Sequence, residues 1–331
     1  MPTTDNLPRE IAFWGPSSSG KTWLMQSLAR ALHKINQDDP EFEYVLAQPE
    51  AVAQAQAKAF QAPQNQATSD AYDKVWMFQR KVRPEHDTPA HRLSAHTHSI
   101  VVRDAPGELL MQGVNNVVMV PLRDAQCVIA VLDPSLIDNA AAAPAAQQTE
   151  QAAARQGLAA LFGASAAQAA TTPQTGAAFQ YTQAQYTLMV SNLLQLLTSQ
   201  PRPDRHVAVC VTKVDQLGVL GRSPWQVVEV FFGAEMAQVL RSFQSKMQIE
   251  AFTVSAAGYL DATREAPNFD PGTRSLLAPD RWQPFAVETP FFWLFTHLER
   301  KRLAEGGGGV PRWYFKRDRL ARYIGYPTRT Y

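Results

Sequence analysis

A short apolar run, Ile11-Ala-Phe-Trp14, leads straight into Gly15-Pro-Ser-Ser-Ser-Gly-Lys-Thr22. Leu24, Leu28, Ala31, Leu32 and Ile35 then recur on one helical face. Strand, glycine-bearing loop and helix in this order constrain the chain more than any other feature. Glycines let a backbone turn so that successive N–H groups point inward and form a concavity for an anion. The helix that follows aims its positive N-terminal end at the same point. In the pattern G-x-x-x-x-G-K-[ST], Gly15, Ser18, Ser19, Gly20 and the following Trp23 offer the cradle. Lys21 places an ammonium on the outer phosphates, and Thr22 offers a hydroxyl to Mg²⁺.

The rest of the chain repeats the strand–helix alternation. Strands are expected at Lys74–Val82 and Thr97–Arg103, joined as a long hairpin, and at Cys127–Leu132, Val207–Val211 and Ala251–Val254. Helices are expected at Gln180–Gln200, after the cap Ser223-Pro224, and after Thr289-Pro290. Such alternation implies an α/β fold, a mostly parallel six-stranded sheet with helices on both faces. Residues 1–10 read as a polar tail and 11–265 as the nucleotide domain. Inserts are expected at about 37–67, rich in Ala and Gln, and at 139–178, of low complexity. Residues 266–331 read as a C-terminal helix followed by a basic and aromatic extension. The Phe291–Leu298 stripe is expected to be core. His86, His91, His96 and His98 read as a solvated loop rather than a metal site.

Composition narrows the function classes. With 45% hydrophobic and 18% charged residues among 331, the chain can fill a large core. Lys and Arg number 31 against 30 Asp and Glu, so no whole-chain field draws nucleic acid or an anionic membrane. No run approaches the ~20 apolar residues of a membrane span. Cys127 and Cys210 sit in apolar strands and read as reduced core thiols, which implies a cytoplasmic protein.

Three further motifs follow in order. Asp104-Ala-Pro-Gly-Glu108 leaves the Thr97–Arg103 strand; Asp104 can hold Mg²⁺ and the Gly107 N–H can meet a γ-phosphate. Thr212-Lys-Val-Asp215 leaves the Val207–Val211 strand. A carboxylate at Asp215 can accept both N1–H and the exocyclic amine of guanine, a pair adenine lacks, while the Lys213 stem lies along the base. Ser255-Ala256 follows the last strand, where a backbone N–H can meet guanine O6. This order, GxxxxGKT, DxPG, TKxD, SA, resembles that of a Ras-like P-loop GTPase of the translation-factor-related class, over Ile11 to about Gly258. The inserts and tail resemble those of bacterial GTPases of multi-gene systems.

The resemblance implies GTP/GDP and Mg²⁺ as ligands, with Lys21 and Glu108 serving catalysis. It implies a first-switch threonine on the metal, for which Thr68 is the candidate, with Thr88 and Thr97 as competitors. Threonine stands at 212 where asparagine is commoner, which weakens the expected tie to the phosphate loop. Glu108 replaces the usual water-orienting glutamine, and Ser17 adds a side chain that crowds an incoming arginine. Both imply slow unaided hydrolysis, of the order of 10⁻⁴ s⁻¹. A molecular switch for a protein partner, acting through the switch segments or the C-terminal extension, is therefore expected; homo-oligomerisation stays open. A scaffold with negligible hydrolysis and an ATP-using P-loop enzyme are the alternatives.

Overall fold

The computed structural model describes residues 11–16, 18–47, 73–88, 96–103, 111, 120–137, 180–200, 204–219, 221–261, 264, 266–270 and 275–305. In chain order they form β1 (Ile11–Trp14), α1 (Lys21–Asp38), β2 (Phe42–Ala47), β3 (Asp73–Val82), β4 (His96–Arg103), α2 (Val120–Asp124) and β5 (Cys127–Leu132). Then come α3 (Gln183–Thr198), β6 (His206–Val211), α4 (Pro224–Phe243), β7 (Gln248–Thr253), the two-stranded β8 (Phe269–Asp270) and β9 (Ser275–Leu276), and α5 (Thr289–Glu305).

Seven strands make one sheet in the order β2-β3-β4-β1-β5-β6-β7. From β4 to β7 all neighbours are parallel, and β3 runs antiparallel to both β2 and β4. The chain winds outward from β1 in both directions, so the carboxyl ends of β1, β4, β5 and β6 converge on one edge. A crevice at such a reversal of winding is where open α/β sheets take ligands. The α/β architecture and the long β3–β4 hairpin agree with the sequence reading.

The strand count does not: there are seven strands, not six. The additional β2 lies within 37–67, which read as an insert. A tight turn holds it to α1. Asn36 receives the Tyr44 N–H at 2.7 Å and returns a bond to the Tyr44 carbonyl at 2.8 Å. Asp39 accepts from the N–H groups of Glu41 and Phe42, and the Arg83 guanidinium caps the carbonyls of Asn36, Asp39 and Phe42. Phe42 and Tyr44 are buried while Glu43 between them is exposed, the period of a strand covered on one face.

Alternation along the central strands divides the core. Ala12, Trp14, Val128, Ala130, Val207 and Val209 face α3 and α4. Ile11, Phe13, Cys127, Ile129, Ala208 and Cys210 face the other way, towards α1 and α5. Both cysteines are buried, and burial pushes the Cys210 thiol far up. The α5 helix belongs to this second core, as expected of the Phe291–Leu298 stripe. Phe291, Phe292, Leu294, Phe295 and Leu298 are all buried, and Phe78 stacks on Phe295 at 3.9 Å. Helices α3 and α4 both open with reciprocal capping boxes, at Thr182/Gln185 and Ser223/Gln226. All of 139–178 and of 310–331 lie outside the described residues.

Candidate functional site

The loop after β1 is built on close approach. A Cβ on Gly15 would stand 2.7 Å from both the Val131 carbonyl oxygen and Ser19 Oγ, so only glycine lets the loop pass the end of β5. Positive φ angles at Ser18 (66°) and Gly20 (91°) turn the chain into α1, whose ladder starts with Leu24 N–H on the Gly20 carbonyl at 2.8 Å. Lys21 is buried, and its ammonium donates to the carbonyls of Gly15 and Pro16, each at 2.8 Å. The ammonium is thus folded onto its own loop. Ser19 Oγ is buried with no hydrogen-bond partner, a polar atom left facing inward. Thr22 is exposed, and Trp23 meets Phe269 edge-on with 6.2 Å between ring centroids. An inward-facing hydroxyl, a buried ammonium and a helix N-terminus together fit a phosphate chain. With Thr22 open to solvent, they also fit an Mg²⁺ ion on that chain.

Thr212 is held against this loop. Its N–H bonds the Leu132 carbonyl at 2.9 Å, and its hydroxyl lies 3.1 Å from the Ser19 carbonyl and 3.3 Å from that of Leu132. The threonine side chain thus ties the strand end of β6 to the loop after β1.

Asp215, in the turn after β6, is 6% exposed. Its Oδ1 accepts from Ser255 Oγ at 2.5 Å, and Ser255 Oγ in turn accepts the Gly258 N–H at 2.8 Å. Its Oδ2 is buried without a hydrogen-bond partner. Burial pushes the carboxyl up to about 6, against the Ser255 hydrogen bond that lowers it. A carboxylate with one oxygen fixed and the other free suits a ligand that brings two donors. Ser255 and Ala256 follow β7 and lie beside it.

Lys213 sits at φ 58°, which turns its side chain towards the end of β5. There its ammonium stands 2.6 Å from Asp133 Oδ2 and 3.0 Å from Ser135 Oγ. Asp133 is fully buried, and its Oδ1 also accepts from the N–H and hydroxyl of Ser135. Its backbone N–H donates to the buried Tyr186 hydroxyl at 3.1 Å, and burial with the nearby Asp133 charge drives that phenol up. Sequence reasoning missed Asp133, although a carboxylate closing an apolar strand beside the loop was a signal open to it. Tyr259 was missed too; burial and the Asp215 charge push its phenol up to about 12.

The remaining candidates, Thr68, Asp104, Gly107, Glu108 and also Ser17, lie outside the described residues. The strands flanking them are described. β4 ends at Arg103, which pairs with Asp73 at the start of β3, and β4 runs parallel beside β1. The structure therefore brings together Gly15, Ser18–Trp23, Thr212–Asp215 and Ser255–Ala256. It delivers the strand end before Asp104 to the same edge.

No protein-family profile and no curated protein sequence matches the chain. Solved structures resemble it only distantly. The signal recognition particle receptor SRb-GTP/SRX complex from Chaetomium thermophilum is 14% identical over 76% of this chain and 92% of that one, with a TM-score of 0.35. The putative nucleolar GTP-binding protein 1 from Plasmodium falciparum is 10% identical over 98% and 99%, with a TM-score of 0.36. The S. cerevisiae Ski7 GTPase-like domain bound to GTP is 12% identical over 76% and 43%, with a TM-score of 0.32. At these distances the likenesses carry no assignment; the chain's own geometry is an α/β fold in which the loop after β1, the turn after β6 and the turn after β7 meet at one sheet edge. Among the described residues no helix is long and apolar enough to cross a membrane.

Proposed function

We propose that the chain is a guanine-nucleotide switch that binds GTP and GDP with Mg²⁺ and hydrolyses GTP slowly. One observation carries the reading: the buried, half-satisfied Asp215 carboxylate at the same sheet edge as a phosphate-type loop. Guanine presents N1–H and an exocyclic amine to such a group. Adenine presents an acceptor at N1 and would leave the carboxylate unsatisfied.

In this reading the Lys21 ammonium leaves the carbonyls of Gly15 and Pro16 for the outer phosphates, and the loop N–H groups of Ser18 to Trp23 take the remaining oxygens. The Ser19 hydroxyl, which the fold leaves without a partner, completes the cradle. Bound Mg²⁺ would offset charge on the β- and γ-phosphates, held by Thr22, Asp104 and Thr68. Gly107 reports the γ-phosphate through its N–H, and Glu108 accepts from the attacking water. The added negative charge of Glu108 and the side chain of Ser17 favour slow turnover. Loss of the γ-phosphate then releases the segments around Thr68 and Glu108, and a protein partner reads the change there or at the C-terminal extension. Two buried thiols suit a reducing, cytoplasmic setting.

Calorimetry with Mg²⁺ decides between nucleotides: GTP and GDP are expected to bind and ATP not to compete at equal concentration. Asp215→Asn is expected to exchange guanine for xanthine preference, because the amide presents a donor to the xanthine C2 oxygen. Unchanged selectivity would remove Asp215 from the site. Multiple-turnover phosphate release, measured with candidate partners, separates a switch from a scaffold with negligible hydrolysis, the second reading that Glu108 and Ser17 favour.

A further inference from the structure

The chain between β7 and α5 does not leave the site; it doubles back over it. Ser255 and Phe285 exchange both backbone bonds, at 3.0 and 2.8 Å, and the Trp282 indole N–H donates to the Ala256 carbonyl at 2.7 Å. The same turn carries the β8–β9 hairpin. The Asn268 N–H donates to the Gly258 carbonyl at 3.0 Å, and Tyr259 bridges to Pro267. The Asn268 side chain is fully buried and bonds both the N–H and the carbonyl of Ala278, at 2.8 and 3.2 Å. The next residue, Phe269, meets Trp23 with ring centroids 6.2 Å apart and planes at 85°. Arg30, two turns beyond Trp23 on the same face of α1, donates to the Trp282 carbonyl at 3.3 Å. One face of α1 is thus covered by chain that hangs from the turn after β7.

The hairpin therefore spans the two ends of the candidate site, with Trp23 at the phosphate end and Gly258 at the base end. Trp23 follows Thr22 in the first turn of α1 and is half-buried; Phe269 is its only ring contact among the described residues. In an edge-on pair at least one face of the indole stays clear of its partner. An open aromatic face one residue past a phosphate-type loop has a physical use. Every base has a π-face, so bases stack on aromatic rings whatever their edge chemistry.

We propose that Trp23 is an aromatic wall for the nucleoside of the bound nucleotide, and that Phe269, carried by the β8–β9 hairpin, is the residue that positions it. The proposal rests on the nucleotide reading above and deepens it. The two ends divide the work. Asp215 selects the base by its edge, whereas Trp23 adds affinity that is blind to that edge. A hairpin inserted between β7 and α5, rather than the loop after β1 itself, then sets how firmly the nucleoside is held.

Calorimetry and tryptophan emission test the wall together. Trp23→Leu keeps bulk and removes the π-face; it is expected to weaken GDP binding about tenfold, within the range that one base–aromatic stack is worth. Trp23→Phe restores a smaller face and should recover most of that loss. Phe269→Ala should weaken GDP about threefold in the wild type and leave the Trp23→Leu variant unchanged, because it acts through the ring already removed. Of the 7 tryptophans, Trp23 should carry most of the quench that GDP causes, so Trp23→Phe should remove most of it. The quench and Phe269→Ala serve if the leucine variant fails to fold. Wild-type affinity in Trp23→Leu, or an undiminished GDP quench in Trp23→Phe, would overturn the proposal. A wild type that binds ADP in preference to GDP would instead overturn the guanine reading. The stack is indifferent to the base edge, so Trp23→Leu should then weaken ADP by the same factor. A wild type that binds neither nucleotide overturns both.

Discussion

The two ends of the candidate nucleotide site are prepared in opposite ways. At the phosphate end the charged group is internally satisfied: Lys21 already donates to two carbonyls of its own loop. At the base end the charged group is left wanting: Asp215 has one oxygen on Ser255 and the other buried without a partner. The first end must exchange bonds it already has, so its net gain on binding is a difference. The second gains bonds that were missing, and its cost has been met in the folded protein as a desolvated carboxylate. On the proposed reading, affinity for a phosphate chain and discrimination among bases thus come from different physical reservoirs.

Substitutions should break this contrast in graded steps. Lys21→Met removes the ammonium from the phosphates and should weaken GDP binding by about 100-fold or more by calorimetry, since hydrogen bonds to charged groups are each worth ~1.5–3 kcal/mol. A loss under fivefold would mean the ammonium stays on its own loop when nucleotide binds.

Asp215→Asn should do the reverse to the empty protein. A carboxyl raised from 3.8 to about 6 binds its proton more tightly folded than unfolded. Its penalty is absent below the unfolded value and grows as pH rises through the folded one, reaching about 3 kcal/mol above both. Urea unfolding without nucleotide should therefore show the variant more stable than wild type at pH 8, by up to that amount, and little changed at pH 4. An equal gain at both values would assign it to something other than charge.

The same titration acts on binding. With the carboxyl at about 6, lowering pH from 8 to 5 should weaken GDP affinity about tenfold in the wild type. Asp215→Asn should flatten that profile. The smallest effect belongs to the tie between the ends. Thr212→Val keeps the shape, loses the hydroxyl near the Ser19 carbonyl, and should cost about 1 kcal/mol of stability with a fewfold faster GDP release.

How much of this could be read beforehand follows from the range of the interactions. β1, β5 and β6 are continuous apolar runs, and α3 and α4 announce their starts with local caps, so near neighbours in sequence were enough. The loop after β1, Asp215 and Ser255 reach one edge because parallel strands deliver their carboxyl ends together. β2 was hidden because its stripe is short and adjoins an Ala- and Gln-rich stretch. Its evidence is in contacts with Asn36 and Arg83, one on each side of it in the chain. The Asp133–Lys213 pair joins residues far apart in sequence, and the Trp282 bond to Ala256 requires the chain to double back. No periodicity encodes either.

The placement of α5 has a consequence for how the protein is made. Phe291 lies against Phe13 at 5.7 Å, and Phe292 and Phe295 close over Phe78 and Tyr44. β1 and α1 thus wait, with part of one flank bare, for a helix synthesised more than two hundred residues later. A nascent chain halted before Thr289 exposes that flank to chaperones and to its neighbours.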